Sequence, residues 1–246
     1  MSDPLPNRPI YRFFKRVLDL ILSGFATLIF LPFGLVIAVI LRFSGEGEIF
    51  YRQTRMGRGL VKIGLFKFVT MRKDSEKTGT ITMQGDPRVL PVGKFLRKSK
   101  LNEVPQLLNI LLGDISVIGW RPLTPEVFNY YPPQVQQKLG QIKPGMTGIG
   151  SIVFRDEESL LAGVAKPDVP DFYRAHITPY KGELECWYAE HASFLLDIKL
   201  ILLTAWVVLF SESRLYERLL RDLPKPPEPL VKRRAQIAAG KTSPSN

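Results

Sequence analysis

The most continuous apolar stretch runs from Leu20 to Leu41, LILSGFATLIFLPFGLVIAVIL, 22 residues without a charge. At about 1.5 Å per residue, a helix of that length crosses a bilayer once. Pro32 stands in its second half, where a proline removes a backbone hydrogen bond and bends or breaks a helix. Basic residues flank the run on both sides: Arg8, Arg12, Lys15 and Arg16 before it, Arg42, Arg52, Arg55 and Arg58 after it. Lys and Arg collect on the cytoplasmic side of a membrane, so two basic flanks place both ends on one face. The pieces around Pro32, 12 and 9 residues, are each too short to span and predict a re-entrant helical hairpin. An ordinary single span is the competing reading, favoured by hydropathy alone. Ahead of the run, Tyr11 to Asp19 (YRFFKRVLD) predicts an interfacial amphipathic start. Asp19 needs a partner there, and Lys15 or Arg16 on the same helical face supplies one.

Beyond Phe43 the pattern changes. Residues 43–71 set glycines between short runs of Ile, Phe, Tyr and Val and predict two or three short strands. Residues 73–88 are polar and turn-rich, a loop able to order over a substrate. Val104, Leu107, Leu108, Leu111 and Leu112 recur at helical spacing, with Asn102 as candidate N-cap, Pro105 early and Gly113 as the stop. Further on, PPQVQQKLGQI predicts a short helix, KPGMTG a turn, GIGSIVF a strand or extended segment, and KGELECWYAEHASF a helix. Leu195–Phe210 is apolar but interrupted by Asp197 and Lys199. Its unbroken part, 11 residues from Leu200, is too short to span and reads as a core helix or a shallow membrane one. After Arg221, PKPPEPL and a basic KRR predict a flexible tail.

Hydrophobic residues make up 45% of the 246, an ordinary share, so the apolar run is a local feature. The charge balance changes the picture more: 34 basic against 23 acidic residues gives +11, which calls for an anionic partner. Beside a membrane segment, lipid headgroups and phosphorylated substrates rank ahead of nucleic acid. One cysteine, Cys186, excludes an internal disulfide framework and suits a reducing compartment. His176 and His191 lack metal-ligand spacing to each other or to Cys186. With neither G-x-G-x-x-G nor a Walker A motif, a dinucleotide fingerprint and a P-loop are both unsupported.

Two places carry candidate chemistry. Lys94, Arg97, Lys98 and Lys100 crowd just before Asn102-Glu103. A helix start with free N–H groups, a carboxylate and a basic cluster suits a phosphate and a divalent cation. Ordinary capping explains the same glutamate. Arg155-Asp156-Glu157-Glu158 reads either as a charged helix start capped by Asp156 or as a metal or acid–base site.

At Lys94–Pro122 the sequence resembles the bacterial sugar transferases, the monotopic polyprenyl-phosphate phosphoglycosyltransferases. The resemblance covers roughly residues 11–210. It takes in Lys15-Arg16 with Asp19, the apolar run with Pro32, Phe50-Tyr51-Arg52-Gln53, Lys67-Phe68, Asp86 with Arg88, and Leu96-Arg97-Lys98. It continues through Asn102-Glu103 with Pro105-Gln106-Leu107, Gly113-Asp114, Gly119 with Arg121-Pro122, Lys143-Pro144-Gly145, Trp187-Tyr188 and Leu196-Asp197-Ile198-Lys199.

The resemblance implies transfer of a sugar 1-phosphate from a nucleoside diphosphate sugar, UDP-linked, to undecaprenyl phosphate. Mg²⁺ is the implied cofactor, and the implied setting is surface polysaccharide assembly (O-antigen, lipopolysaccharide or exopolysaccharide) at the cytoplasmic face of the bacterial inner membrane. It implies a membrane-anchoring segment over 1–43, a cytosolic α+β catalytic domain, mainly helical with short strands, over 44–215, and a flexible tail over 216–246. Catalysis falls to positions 102 and 103, metal binding to Glu103, and phosphate binding to Arg88, Arg97 and Arg121. In the family an Asp attacks the β-phosphate at position 102; this chain has Asn102, and an amide cannot serve as a carboxylate nucleophile. Three readings stay open: an inactivating change, a nucleophile moved to Glu103 or to a carboxylate of Asp156-Glu157-Glu158, or a non-catalytic relative that keeps the pocket. Trp120 also departs from the family, where Pro commonly precedes Arg-Pro. The phosphate role of Arg121 should survive that change. Oligomeric state is left open.

Overall fold

α1 (Pro9–Phe43) is one helical element of 35 residues with Pro32 inside it. At about 1.5 Å per residue it is some ~52 Å long. This differs from the two-piece hairpin expected from the sequence. The helix runs through the proline, because long apolar stretches on either side keep their own backbone ladders when one bond is lost. The structure is a computed structural model that describes residues 8–44, 47–73, 75, 86–161, 164–210 and 213–239, without the side chains of Glu158 and Lys166. Most of the loop expected at 73–88 therefore lies outside the described residues.

One face of α1 packs against the rest of the protein. Tyr11, Asp19, Ser23, Ala26, Ile37 and Leu41 lie on it, at separations that return to the same side of a 3.6-residue helix. The other faces expose Phe25, Leu28, Leu31, Phe33, Leu35, Val36 and Val39. By length and composition α1 is able to cross a membrane, and only 6% of its most apolar window is buried. Yet both of its ends touch the same body. Near the start, Arg16 donates to the carbonyls of Ile110 (2.6 Å) and Leu111 (2.7 Å). Near the end, Leu41 packs with Phe68 and Leu96. Asp19 accepts from the Ser116 hydroxyl and the Val117 N–H, each at 2.9 Å, so its hydrogen-bond partners are neither Lys15 nor Arg16. Lys15 instead pairs with Asp197 at 2.9 Å.

β1 (Phe50–Met56) and β2 (Lys62–Phe68) form an antiparallel hairpin, with Phe50 opposite Phe68. α2 (Pro91–Lys98), a 3-10 turn (Leu101–Glu103) and α3 (Gln106–Leu112) follow. The expected helix thus starts later than Asn102. Lys100 adopts a left-handed conformation (φ 59°), and Pro105 stands at the N-cap of α3, so Asn102 caps nothing. Gly113, at φ 92°, ends α3 as its position in the sequence predicts. β3 (Ser116–Ile118) pairs in parallel with β4 (Gly145–Thr147), close enough that a Cβ on Gly145 would strike the Gly119 backbone. α4 (Pro125–Phe128) and α5 (Pro133–Gly140) lie between these strands in the chain.

GIGSIVF, expected as a strand, is α6 (Ile149–Val153). Its Ile149, Ile152 and Val153 all face the core, and that packing overrides β-branched preference. α7 (Glu157–Leu160) comes next, with Asp156 before it making no side-chain cap. α8 (Val169–Phe172), a π turn (Tyr173–Ile177) and α9 (Thr178–His191) run on as one rod. α10 (Phe194–Leu209) has two characters. Leu196, Leu200, Leu203 and Val207 are buried, while Leu195, Leu202, Trp206 and Leu209 are exposed. Asp197, which interrupts the apolar pattern, is fully buried and accepts from Tyr11 (2.9 Å), Lys15 and Tyr188 (2.6 Å).

The tail expected to be flexible over 216–246 is folded in its described part. α11 (Leu215–Leu219) and α12 (Glu228–Ala238) turn back onto the core, with Leu230 at 1% exposure. Arg234 grips both oxygens of Asp156 at 2.9 Å, and the Tyr180 hydroxyl donates to the Pro224 carbonyl, also at 2.9 Å. The prolines set the path of the connection between the two helices without keeping it off the core.

Candidate active site

Glu103 closes the 3-10 turn, and three stretches of chain meet at its carboxylate. Arg121 donates to Glu103 Oε1 at 3.0 Å, and Lys67 Nζ lies 3.6 Å from the same oxygen. Lys67 comes from the end of β2, and Asn109 is what brings that strand alongside α3. The Asn109 amide donates to the Gly64 carbonyl and to Asp114 Oδ2, while its own oxygen accepts from the Phe66 N–H, all at 2.9 Å. Arg121 follows Trp120, whose side chain is fully buried against Phe128 and donates to the Ile142 carbonyl at 3.3 Å. With Trp120 turned into the core, the guanidinium of the next residue reaches Glu103.

The charges reinforce one another. Burial pushes the Glu103 carboxyl up, but Arg121, Lys67 and Lys100 together outweigh it and hold the group well below the usual carboxylate range. Burial, aided by Arg55, Arg121 and Arg97 and opposed by Glu103, brings the Lys67 ammonium down to about 7. Arg97, whose guanidinium also approaches the Met71 sulfur at 4.0 Å, belongs to this basic group. The site is thus one ionised carboxylate inside a surplus of cations, a setting that draws phosphate.

Other candidates stand apart. Arg88 folds its fork onto Asp86, with contacts of 2.6 to 3.1 Å, and donates to the Ser75 carbonyl. Asp156 is taken by Arg234. The charge of Glu157 adds, after that of Glu103, to what stabilises the Arg121 guanidinium. Lys181 pairs with Glu157 at 2.5 Å, and the Tyr173 hydroxyl donates to it at 3.2 Å. Asn102 is 6% exposed, and its side-chain oxygen is buried without a hydrogen-bond partner. That oxygen and the neighbouring Glu103 carboxylate are hard donors suited to a divalent cation. Among the described residues no group of three or more His, Cys, Asp or Glu is placed to hold a metal, so a cation here needs ligand phosphate oxygens as well.

Glu185 was not anticipated from the sequence. It accepts from the Arg121 N–H at 3.2 Å, lies close against Gly150, and its second oxygen is buried without a partner. Burial raises its carboxyl to about 7, against the pull of the Arg121 N–H and of Lys181. A glutamate in KGELECWYAEH gives no sequence signal for this. The bare Gly150 that makes room for it lies 35 residues away.

Residues 10–211 match the family described as bacterial sugar transferase. The chain belongs to that family. Three relatives illustrate its range. The UDP-N-acetylgalactosamine-undecaprenyl-phosphate N-acetylgalactosaminephosphotransferase of Aeromonas hydrophila is 30% identical over 212 residues, 85% of this chain and 46% of that protein. The exopolysaccharide production protein ExoY of Rhizobium meliloti is 34% identical over 174 residues, 64% of this chain and 76% of the relative. The UDP-glucose:undecaprenyl-phosphate glucose-1-phosphate transferase of Escherichia coli K12 is 31% identical over 210 residues, 82% of this chain and 42% of the relative. The match thus spans less than half the length of two of the three. In this bacterial sugar transferase, Glu103, Lys67, Arg97 and Arg121 come together, while Arg88 and Asp156 are engaged elsewhere.

Proposed function

We propose that this sugar transferase moves a sugar 1-phosphate from a UDP-linked sugar to a polyprenyl phosphate such as undecaprenyl phosphate, starting a surface glycan. The observation that carries the reading is Glu103, ionised beneath Arg121 and Lys67 with Arg97 and Lys100 close by. Phosphoryl transfer needs cations placed where charge spreads over the moving group. Arg121 offers a planar fork for phosphate oxygens and Lys67 a point charge. Mg²⁺ would be held by Glu103 and the Asn102 side-chain oxygen together with substrate phosphates, and it supplies charge neutralisation at the transferring phosphate.

Membrane attachment follows from α1 and α10, whose exposed apolar faces suit lipid. Contacts from Arg16 and from Leu41 to one body support a helix with both ends on the same side, at the cytoplasmic face of the inner membrane. The full chain in detergent, given UDP-sugars and Mg²⁺, is expected to turn over and release UMP repeatedly only when undecaprenyl phosphate is present, with at most one equivalent per enzyme without it. No release from any donor, by this chain and by its Asn102→Asp variant alike, would overturn the reading.

A further inference from the structure

The structure assigns a phospholipid site to the C-terminal end of α3, where Arg16 and Lys143 converge over the bare backbone of Gly113. Its ligand is the anionic headgroup of a lipid of the surrounding membrane. The inference rests on the membrane attachment proposed above and is separate from the transfer chemistry. A Cβ on Gly113 would lie 3.5 Å from Lys143 Nζ and 3.6 Å from Arg16 Nη2. Two cations that share one neighbouring point are close enough for a single phosphate to accept from both, at about 2.7–2.9 Å each. Gly113 leaves the space between them open, and its φ of 92° favours glycine there.

Among the described residues neither cation is paired with a carboxylate. Arg16 donates to the carbonyls of Ile110 and Leu111, neutral acceptors that fix the guanidinium and leave its charge uncancelled. The Lys143 ammonium makes no hydrogen bond or ion pair. Asp19 and Asp114 are near enough to act on it, but both are engaged elsewhere. Asp19 accepts from Ser116 and Val117, and Asp114 from the Asn109 amide. Burial, then Arg16 and Arg58, lower the ammonium from its ordinary value against the pull of those two carboxylates. A lysine with only solvent to satisfy would turn away from a guanidinium. Here Nζ stands beside one.

The neighbouring side chains say where the phosphate comes from. On α1, Phe13, Val17 and Leu20 are exposed within one turn of Arg16. On α3, Leu108 and Leu112 are exposed one turn apart, and Leu112 adjoins Gly113. A soluble phosphate uses none of that apolar surface. A phospholipid lays its acyl chains along it while the headgroup rests on the charges. The site lies at the opposite end of α3 from the Glu103 turn, so a phosphate held here is not the one that reacts. Bound there, the headgroup ties the end of α3 and the start of the apolar run to one layer of the membrane.

The test uses the full chain in an uncharged detergent, read by thermal unfolding, with four additives: dioctanoyl phosphatidylglycerol, dioctanoyl phosphatidylcholine, glycerol phosphate and inorganic phosphate. Phosphatidylglycerol is expected to raise the Tm saturably, as a ligand of the folded state does, and the other three far less. Lys143→Gln should weaken the apparent phosphatidylglycerol affinity about tenfold, the worth of one charge-assisted hydrogen bond, and Lys143→Arg should restore most of it. Lys232→Gln removes the same charge from an exposed position on α12 and should leave the affinity within about twofold. An equal loss in Lys232→Gln means unspecific attraction and overturns the site. Unchanged affinity in Lys143→Gln, or no difference between the two lipids, does the same. Equal stabilisation by inorganic phosphate makes it a soluble-anion site and overturns the lipid. Attachment is read separately, by flotation with vesicles of phosphatidylcholine alone. A chain that floats keeps the attachment whatever the headgroup result, and one that does not loses both.

Discussion

Lys67 is the residue through which pH should act on the site. With its ammonium brought to about 7 by burial and by Arg55, Arg121 and Arg97, it loses its charge as pH rises through neutrality. UDP-sugar affinity should therefore fall between pH 6 and pH 8.5, and Lys67→Arg, which stays charged, should flatten the profile. An unchanged slope in Lys67→Arg would clear Lys67 of this role. For stability the sign is opposite. Above about pH 7 the unfolded chain binds the extra proton, so the penalty for a buried ammonium fades and the fold gains as pH rises toward the ordinary lysine range. Glu103 and Arg97 were legible in the sequence because a basic cluster beside a carboxylate is a local pattern, whereas Arg121, 18 residues on, entered only through the family resemblance. Their partner Lys67 lies 36 residues before Glu103. Its approach depends on the amide of Asn109, which in sequence is one more polar position on a helix.

At the scale of elements, α12 is where composition misled. Four prolines between Pro224 and Pro229 and a basic KRR read as a solvated tail, since composition registers stiffness and charge but not a distant docking surface. Leu230, at 1% exposure, shows that the segment buries an apolar anchor. Leu230→Ala should cost about 2–4 kcal/mol in denaturant unfolding, the range for emptying a buried leucine site. A change below about 0.5 kcal/mol, as at an ordinary surface position, would mean that α12 does not dock in solution. GIGSIVF shows the converse error: its β-branched residues read as a strand, and core contacts made it α6. The hairpin β1–β2 and α3 were readable because turn glycines and a clean 3.6 period agree with their tertiary setting.

Across the whole molecule, α1 and α10 carry the exposed apolar faces that the proposed membrane attachment would use. With Cys186 replaced by Ser, single cysteines at Ser2 and Ser44 should both resist a membrane-impermeant thiol reagent in intact spheroplasts and both react after lysis. Opposite accessibility would mean a helix that crosses. The apolar run was obvious in the sequence. Its packed face was not, because Ser23 and Ala26 carry no sign of a partner and Asp19, given a local partner in Lys15 or Arg16, holds Ser116 from 97 residues away.

The grip of Arg16 on the last carbonyls of α3 has a metric consequence. α3 spans seven residues, Gln106–Leu112, and its opposite end emerges three residues after Glu103. At about 1.5 Å per residue, roughly 10 Å of helix therefore separates the anchor from the Glu103 turn. In the proposed reaction a water-borne donor and a lipid-borne acceptor share no common solvent and would have to meet at one depth, which this count of residues would set. One residue inserted into α3 would raise the turn by about 1.5 Å and swing it through about 100°, leaving every side chain of the site present but aimed away from the plane where the proposed acceptor phosphate would sit.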